Sequence, residues 1–246
     1  MPPKLLIWRM HSRLTLHAAR ILLLLFLSLS AAAQPSVKLR PRDYRRDVEL
    51  VTTEGTIRLR LSDSTPLHRD NFLRLVKSGY FDSVLFHRVI RGFMIQGGDP
   101  DSRRAAAGQK LGEGGPAYGI PAELRATLFH RKGALAAARE GDAINPLRYS
   151  SASQFYIVQG RTFTDPQMDS IERTRLQDRK ISPERRAVYR ATGGTPQLDG
   201  NYTVFGEVVK GLDVVDRIAA ADVSSDPPNR PVQDVRIITA RLVRRR

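Results

Sequence analysis

Apolar and polar positions alternate with a period of two from residue 48. Val48 and Leu50, then Ile57, Leu59 and Leu61, are each separated by polar neighbours on either side of Thr53-Glu54-Gly55, which predicts two antiparallel strands around a turn. The period then lengthens. Leu67, Phe72, Leu75 and Val76 form one stripe that ends at Gly79, preceded by Thr65-Pro66, so a helix is expected with Thr65 as its cap and a proline in its first turn. From Phe86 to Asp99 the pattern returns to strands: Phe86, Arg88 and Ile90 fall on one face, Arg91-Gly92 supplies the reversal, and Met94 and Gln96 share a face of the return strand. After glycine-rich loops through Ala117, short strands are expected around Gly133–Ala138, Gln154–Val158 and Thr203–Val209. A helix from Leu212 to about Ala220, with Val214, Val215 and Ile218 inward, and a last strand through Val235–Ile238 complete the pattern. Many short strands flanked by two helices predict a mainly β chain closed into a barrel rather than a βαβ sheet.

Two stretches stand apart. Residues 160–196 are charged; Thr164 precedes Gln167 by three residues, and Ser182-Pro183 opens a second periodic segment that stops at Gly193-Gly194, so an inserted helical hairpin is expected there. Residues 1–33 carry Lys4, Arg9, Arg13 and Arg20 without an acid, then the apolar run Ile21–Leu29, then Ala31-Ala32-Ala33. This is the layout of a secretory signal peptide cut near Ala33. The apolar run falls short of the roughly 20 residues that span a bilayer, so no stable membrane anchor is expected after cleavage, the alternative being an uncleaved leader that anchors the protein through residues 21–33. Residues 34–46, polar and proline-containing, read as a linker to a folded domain over 47–246. The absence of cysteine excludes lipidation of a leader cysteine and every disulfide, and suits a periplasmic or extracellular protein that needs no bridge.

The formal net charge is +15, of which the leader's four basic residues supply four, leaving +11 on the remainder. The arginines are spread along the chain, clustered only at Arg241–Arg246, and no basic stretch is interleaved with aromatic residues. Specific nucleic-acid binding is therefore not expected. His68, His87 and His130 stand alone, without carboxylates at ligand spacing, and Gly97-Gly98 and Gly112–Gly115 fit no phosphate-binding fingerprint. What remains is the hairpin around Arg88, which sets a guanidinium beside apolar side chains and a carboxamide. That combination suits a neutral, twisted amide better than an ion.

The order of residues in Phe86–Asp99 resembles the catalytic signature of the cyclophilins, peptidyl-prolyl cis-trans isomerases. Gly133–Arg139 stands where that family has its substrate-binding strand. Ser153-Gln154-Phe155-Tyr156-Ile157 is similar to its SQFF strand, and Leu198-Asp199-Gly200 through Val204-Phe205-Gly206 to its LDG-to-VFG segment. The resemblance implies an eight-stranded antiparallel barrel capped by two helices, acting as a monomer on proline-containing unfolded or extended polypeptides with no cofactor or metal. It implies that Arg88 donates to the prolyl nitrogen and Gln96 holds a substrate backbone group, with Gln154 nearby. Phe93, Met94, Tyr156 and Leu198 would line the proline pocket, Tyr202 its rim, and the backbone of Ala138 and Arg139 would pair with the residue before proline. Three positions depart from the family: Gln197 in place of a tryptophan, which weakens expected cyclosporin binding, Tyr202 in place of histidine, and Arg139 in place of asparagine. Two functions follow, an isomerase for folding exported proteins and a chaperone-like module that holds extended proline segments; Arg88 together with Gln96 favours the first.

Overall fold

The computed structural model describes residues 37–245, and the leader read in 1–33 lies outside them. Eight strands form one antiparallel sheet: β1 (Arg46–Thr52), β2 (Gly55–Leu61), β3 (Arg88–Ile90), β4 (Met94–Gly97), β5 (Ala134–Ala137), β6 (Phe155–Val158), β7 (Val204–Lys210) and β8 (Ile237–Arg244). Their order is β8-β1-β2-β7-β5-β6-β4-β3. Among the described residues four α-helices accompany them: α1 (Pro66–Lys77), α2 (Asp165–Arg175), α3 (Pro183–Ala191) and α4 (Leu212–Ala219).

The sheet curls into a half-barrel and does not close, contrary to the expected closed barrel. β3 is only three residues long, so what meets β8 is the irregular chain before it. Phe86 N–H donates to Val235 C=O at 2.9 Å and Ile237 N–H to Val84 C=O at 2.8 Å, with a single bridge at Leu85–Arg236. The same irregularity corrects the face assignment. Phe86 points into the core with Val89, whereas Arg88 lies on the opposite surface, because residues 84–87 are not a regular strand and the period of two breaks there.

The core fills the concave side: Val48, Leu50, Ile57, Leu59, Ile95, Leu135 and Ile157 point inward. Two helices plug it. α4 lies by the β1–β2 turn, where Val214 approaches Gly55, and buries Val214, Val215 and Ile218 as its spacing predicts. α1 follows the other end of β2 and buries Phe72, Leu73 and Val76, with Phe72 packed edge-on against Phe155. Leu67 was expected in that stripe but is half exposed; His68 takes its place against Phe205.

Thr65 does not cap α1 with its side chain. The carboxylate of Glu123, 55 residues away from His68, accepts from Leu67 N–H at 3.2 Å and His68 N–H at 3.0 Å, and contacts His68 Nδ1 at 2.7 Å. A buried acid at a helix N-terminus satisfies two of the end's free donors and complements its dipole. Those bonds hold the Glu123 pKa below its ordinary value despite the opposing effect of burial.

Both ends of the described residues are tied down by ion pairs. Within the segment expected to be a linker, Asp43 is buried and ion-paired with Lys77 of α1 at 2.7 Å. The basic C-terminal run is largely strand β8, in which Arg241 pairs with Glu49 at 2.7 Å, and Arg245 beyond it approaches Asp47 at 3.4 Å. α2 and α3 lie antiparallel where the two helical segments of 160–196 were expected, joined by Arg186 to Asp169 and Glu172, both at 2.6 Å, and by Arg190 to Asp165. Gln167 Oε1 accepts from Thr164 N–H at 3.0 Å, one arm of the predicted capping box. Glu123→Ala should cost about 2 kcal/mol in denaturant unfolding, since it strands two backbone donors and a buried imidazole. A change under about 0.5 kcal/mol would show that the cap contributes nothing.

Candidate active site

The alternation that sends Ile95, Leu135 and Ile157 inward sends Met94, Gln96, Tyr156 and Ala136 outward. In the β4–β6 ladder Gln96 stands opposite Tyr156 and Met94 opposite Val158, and in the β3–β4 ladder Arg88 stands opposite Gln96. The site therefore sits on the convex face of the sheet, its strands side by side, over a second apolar cluster of Met94, Ala134, Ala136, Tyr156, Val158 and Val204. A groove of about 710 Å³ opens there, and all ten residues expected to carry the chemistry line it.

Arg88 is half buried, and burial lowers its pKa from the usual guanidinium value, though a guanidinium stays charged at any working pH. Among the described residues no carboxylate pairs with it. Its one side-chain partner is Gln96, whose Oε1 accepts from Nη1 at 3.1 Å. Gln96 Nε2 in turn donates to Gln154 Oε1 at 3.1 Å, and Gln154 Nε2 donates to the carbonyls of Gly112 and Gly114 at 2.8 and 2.9 Å. The chain of bonds has one direction. Carbonyls only accept, so Gln154 must turn its NH2 toward them and its oxygen toward Gln96, which in turn must offer its own oxygen to Arg88. Gln96 thus orients the guanidinium.

The residues after Gln96 hold the far end of this relay. Gly98 has φ +97°, and a Cβ there would fall on the carbonyl oxygen of Ser153. That close approach brings the residue before Gln154 against β4. Asp99, fully buried, accepts from Gly112 N–H through Oδ2 and so fixes the loop whose carbonyls orient Gln154.

Beside the guanidinium lies an apolar pocket. Phe93 sits on the β3–β4 turn, which is pinned by Gln159 Oε1 accepting from Gly92 N–H at 2.6 Å. Met94 and Tyr156 form the floor, and Leu198, on a short 3-10 turn at Pro196–Leu198, forms the opposite wall. Tyr202 stands edge-on to Tyr156, its ring 4.5 Å from the Arg139 guanidinium. The Arg139 side chain is buried and donates to Asn201 C=O at 2.9 Å, so it builds the rim while its backbone makes no hydrogen bond among the described residues. Ala138 differs from the expectation. Its N–H donates to Gln154 C=O at 3.0 Å and its C=O accepts from Ser151 N–H at 2.8 Å, so of the two only the Arg139 backbone is left unpaired among the described residues.

The pocket floor is backed by a buried polar chain that periodicity does not reveal. Tyr156 hydroxyl and His130 Nε2 are 2.9 Å apart, His130 Nδ1 and Asp199 Oδ1 3.0 Å, and Tyr189 hydroxyl donates to Asp199 Oδ2 at 2.7 Å. His130, Asp199 and Tyr189 are all buried, and Tyr189 belongs to α3, so the segment 160–196 is tied to the floor of the site. Burial and the neighbouring Asp199 carboxylate raise the Tyr189 pKa far above its ordinary value. No sequence signal joins residues 130, 156, 189 and 199; only the fold does.

Residues 47–242 match the family described as cyclophilin type peptidyl-prolyl cis-trans isomerase/CLD. The chain belongs to the cyclophilin-type peptidyl-prolyl isomerases. It is 34% identical over 200 residues to the Neurospora crassa peptidyl-prolyl cis-trans isomerase-like 1, covering 80% of this chain and 94% of that one. It is also 34% identical over 196 residues to a Staphylococcus saprophyticus protein provisionally named for the same activity, covering 78% and 89%. A Cryptosporidium parvum cyclophilin-type isomerase shares the fold at TM-score 0.57 and 23% identity, covering 82% of this chain and 99% of that one. A second crystal structure of that protein, obtained in the presence of the dipeptide Ala-Pro, gives TM-score 0.56 at 22% identity.

Next to Arg88 in this cyclophilin, His87 is buried at the groove wall, and burial pushes its pKa from 6.5 down to about 4, with Arg88 and Arg230 adding to the effect and Asp99 opposing it. The native state therefore holds His87 neutral, while the unfolded chain takes up a proton below about pH 6.5. Stability is full above that pH and is lost as pH falls from 6.5 toward 4, by about 3 kcal/mol for this residue. Urea unfolding of wild type and His87→Leu at pH 7 and pH 4 should show the difference between them shift by that amount in favour of the variant. An unchanged difference would mean that His87 takes up its proton in the folded protein as it does in the unfolded chain, with its ring reached by solvent.

Proposed function

We propose that this cyclophilin accelerates cis-trans isomerisation of X-Pro bonds during folding of exported proteins, with Arg88 as the hydrogen-bond donor to the prolyl nitrogen. An X-Pro bond favours trans by only about 0.5–1 kcal/mol, yet it exchanges in tens to hundreds of seconds because rotation breaks amide resonance at a cost of roughly 18–20 kcal/mol. At the twisted geometry the nitrogen regains its lone pair. A donor aimed there stabilises the transition state more than either planar form, and each ~1.4 kcal/mol of that difference is a factor of ten in rate. No bond to the enzyme forms and no proton need move.

The observation that carries this reading is the guanidinium itself. A half-buried Arg88 with no carboxylate partner among the described residues, turned by Gln96, stands beside an apolar wall of Phe93, Met94 and Leu198. A guanidinium kept for stability would be expected to hold an ion pair, as Arg60 does with Asp47 at 3.0 Å and Arg186 with Glu172. The proline ring would rest on Met94 and Tyr156, and the peptide on the N-terminal side of proline would pair with the free backbone of Arg139. The Ala-Pro dipeptide used with the structural neighbour supports the ligand class. The chain 1–33 is assigned as an export signal, the mature protein as a monomer, and α2–α3 as an insertion that forms a wall of the site.

A protease-coupled assay on an Ala-Pro peptide tests the mechanism. Arg88→Ala should lower kcat/KM at least about tenfold with the fold preserved by circular dichroism, and Arg88→Lys should recover only part of it, because an ammonium lacks the planar fork. Full turnover by folded Arg88→Ala would remove the guanidinium from the mechanism and favour a binding module.

A further inference from the structure

A second groove, of about 790 Å³, runs on from the proline pocket between the 139–148 loop and the C-terminal turn of α2. The two share Phe93, Arg139, Leu198 and Tyr202. Its lining is one-sided in charge: Arg139, Arg148, Arg161, Arg175 and Arg179 against the single carboxylate of Asp142. Asp142 is already shared by Arg139 at 2.7 Å and Arg148 at 2.8 Å. Arg179 spends its donors on neutral oxygens, those of Leu176, Asp199 and the Asn201 side chain. Arg161 lies 4.1 Å over the ring of Phe163, and neither it nor the exposed Arg175 meets a carboxylate among the described residues.

The acids that could have neutralised this wall are turned elsewhere. Asp165, Asp169 and Glu172 of α2 all face α3, held by Arg186 and Arg190, with Lys180 also on Glu172. α2 therefore turns its carboxylates toward α3 and presents Arg175 to the groove. Uncompensated cations along a concave wall focus potential on whatever lies in it.

We infer that this groove is a specificity subsite for Asp and Glu side chains flanking the proline of the client polypeptide. The inference rests on the isomerase reading of the adjoining pocket. A chain leaving that pocket past Phe93 and Leu198 in extended form advances about 3.3 Å per residue, so the side chains that follow the pocket pass along the wall that carries Arg161 and Arg175. Such pairs are open to solvent, and their effect must fall with added salt.

The test compares three peptides with the same central Ala-Pro, flanked by Glu, Gln or Lys, using exchange NMR to read isomerisation without a protease bias. The Glu peptide should be turned over at about tenfold higher kcat/KM than the Lys peptide when the Debye length is about 30 Å, and at nearly equal rates when salt cuts it to about 3 Å. Arg161→Gln with Arg175→Gln should remove most of that preference while leaving the Gln peptide unchanged. Equal turnover of Glu and Lys peptides at low salt would overturn the inference, as would a preference that survives the double variant, which would place it in the overall charge. Failure to turn over even the Gln peptide would instead overturn the isomerase reading itself.

Discussion

The orientation of Arg88 depends on two peptide carbonyls that can only accept hydrogen bonds. Gly112 and Gly114 present those carbonyls to Gln154, and from that boundary condition every amide along the relay has one allowed orientation. The relay in turn requires β4 and β6 to be neighbours in the register that sets Gln96 opposite Tyr156. It also requires the loop at 112–114 to be held where Asp99 accepts from Gly112. Buried polar networks of this kind are costly when half satisfied and rigid when complete, which is why a cation can stay oriented here without an acid to hold it.

The half-barrel supplies that register through packing. Ile95, Leu135 and Ile157 are buried on the concave side, and a slip of one residue would send them outward and take Met94, Gln96 and Tyr156 into the core. Stability and site geometry thus rest on the same alternation, read from opposite faces of the sheet. The polar chain from Tyr156 through His130 and Asp199 to Tyr189 then connects this face to α3, so that the 160–196 segment is bonded to the pocket floor rather than merely lying beside it.

Much of this was legible in the chain before folding. The strands around Val48–Leu61, the burial of Val214, Val215 and Ile218, and the convergence of Arg88, Gln96, Met94 and Tyr156 follow from local period and motif. What escaped is long-range or irregular. Leu67 is exposed because a distant glutamate caps α1, which seats His68 in its place. Phe86 and Arg88 part company because the chain between them is not strand, and the same short irregular edge leaves the barrel open. The Ala138 backbone already pairs with Gln154 and Ser151. Asp99, Gly112, His130 and Tyr189 carried no local signal of their roles, because each acts on a partner at least 10 residues away.

The central claim is that Gln154 serves catalysis through Arg88, and a double-mutant cycle measures it most directly. Gln154→Ala should lower kcat/KM on an Ala-Pro peptide by about fivefold or more when Arg88 is present, and by less than about twofold in the Arg88→Ala background, where nothing remains to be oriented. Equal losses in both backgrounds would contradict the account and assign Gln154 a role independent of the guanidinium.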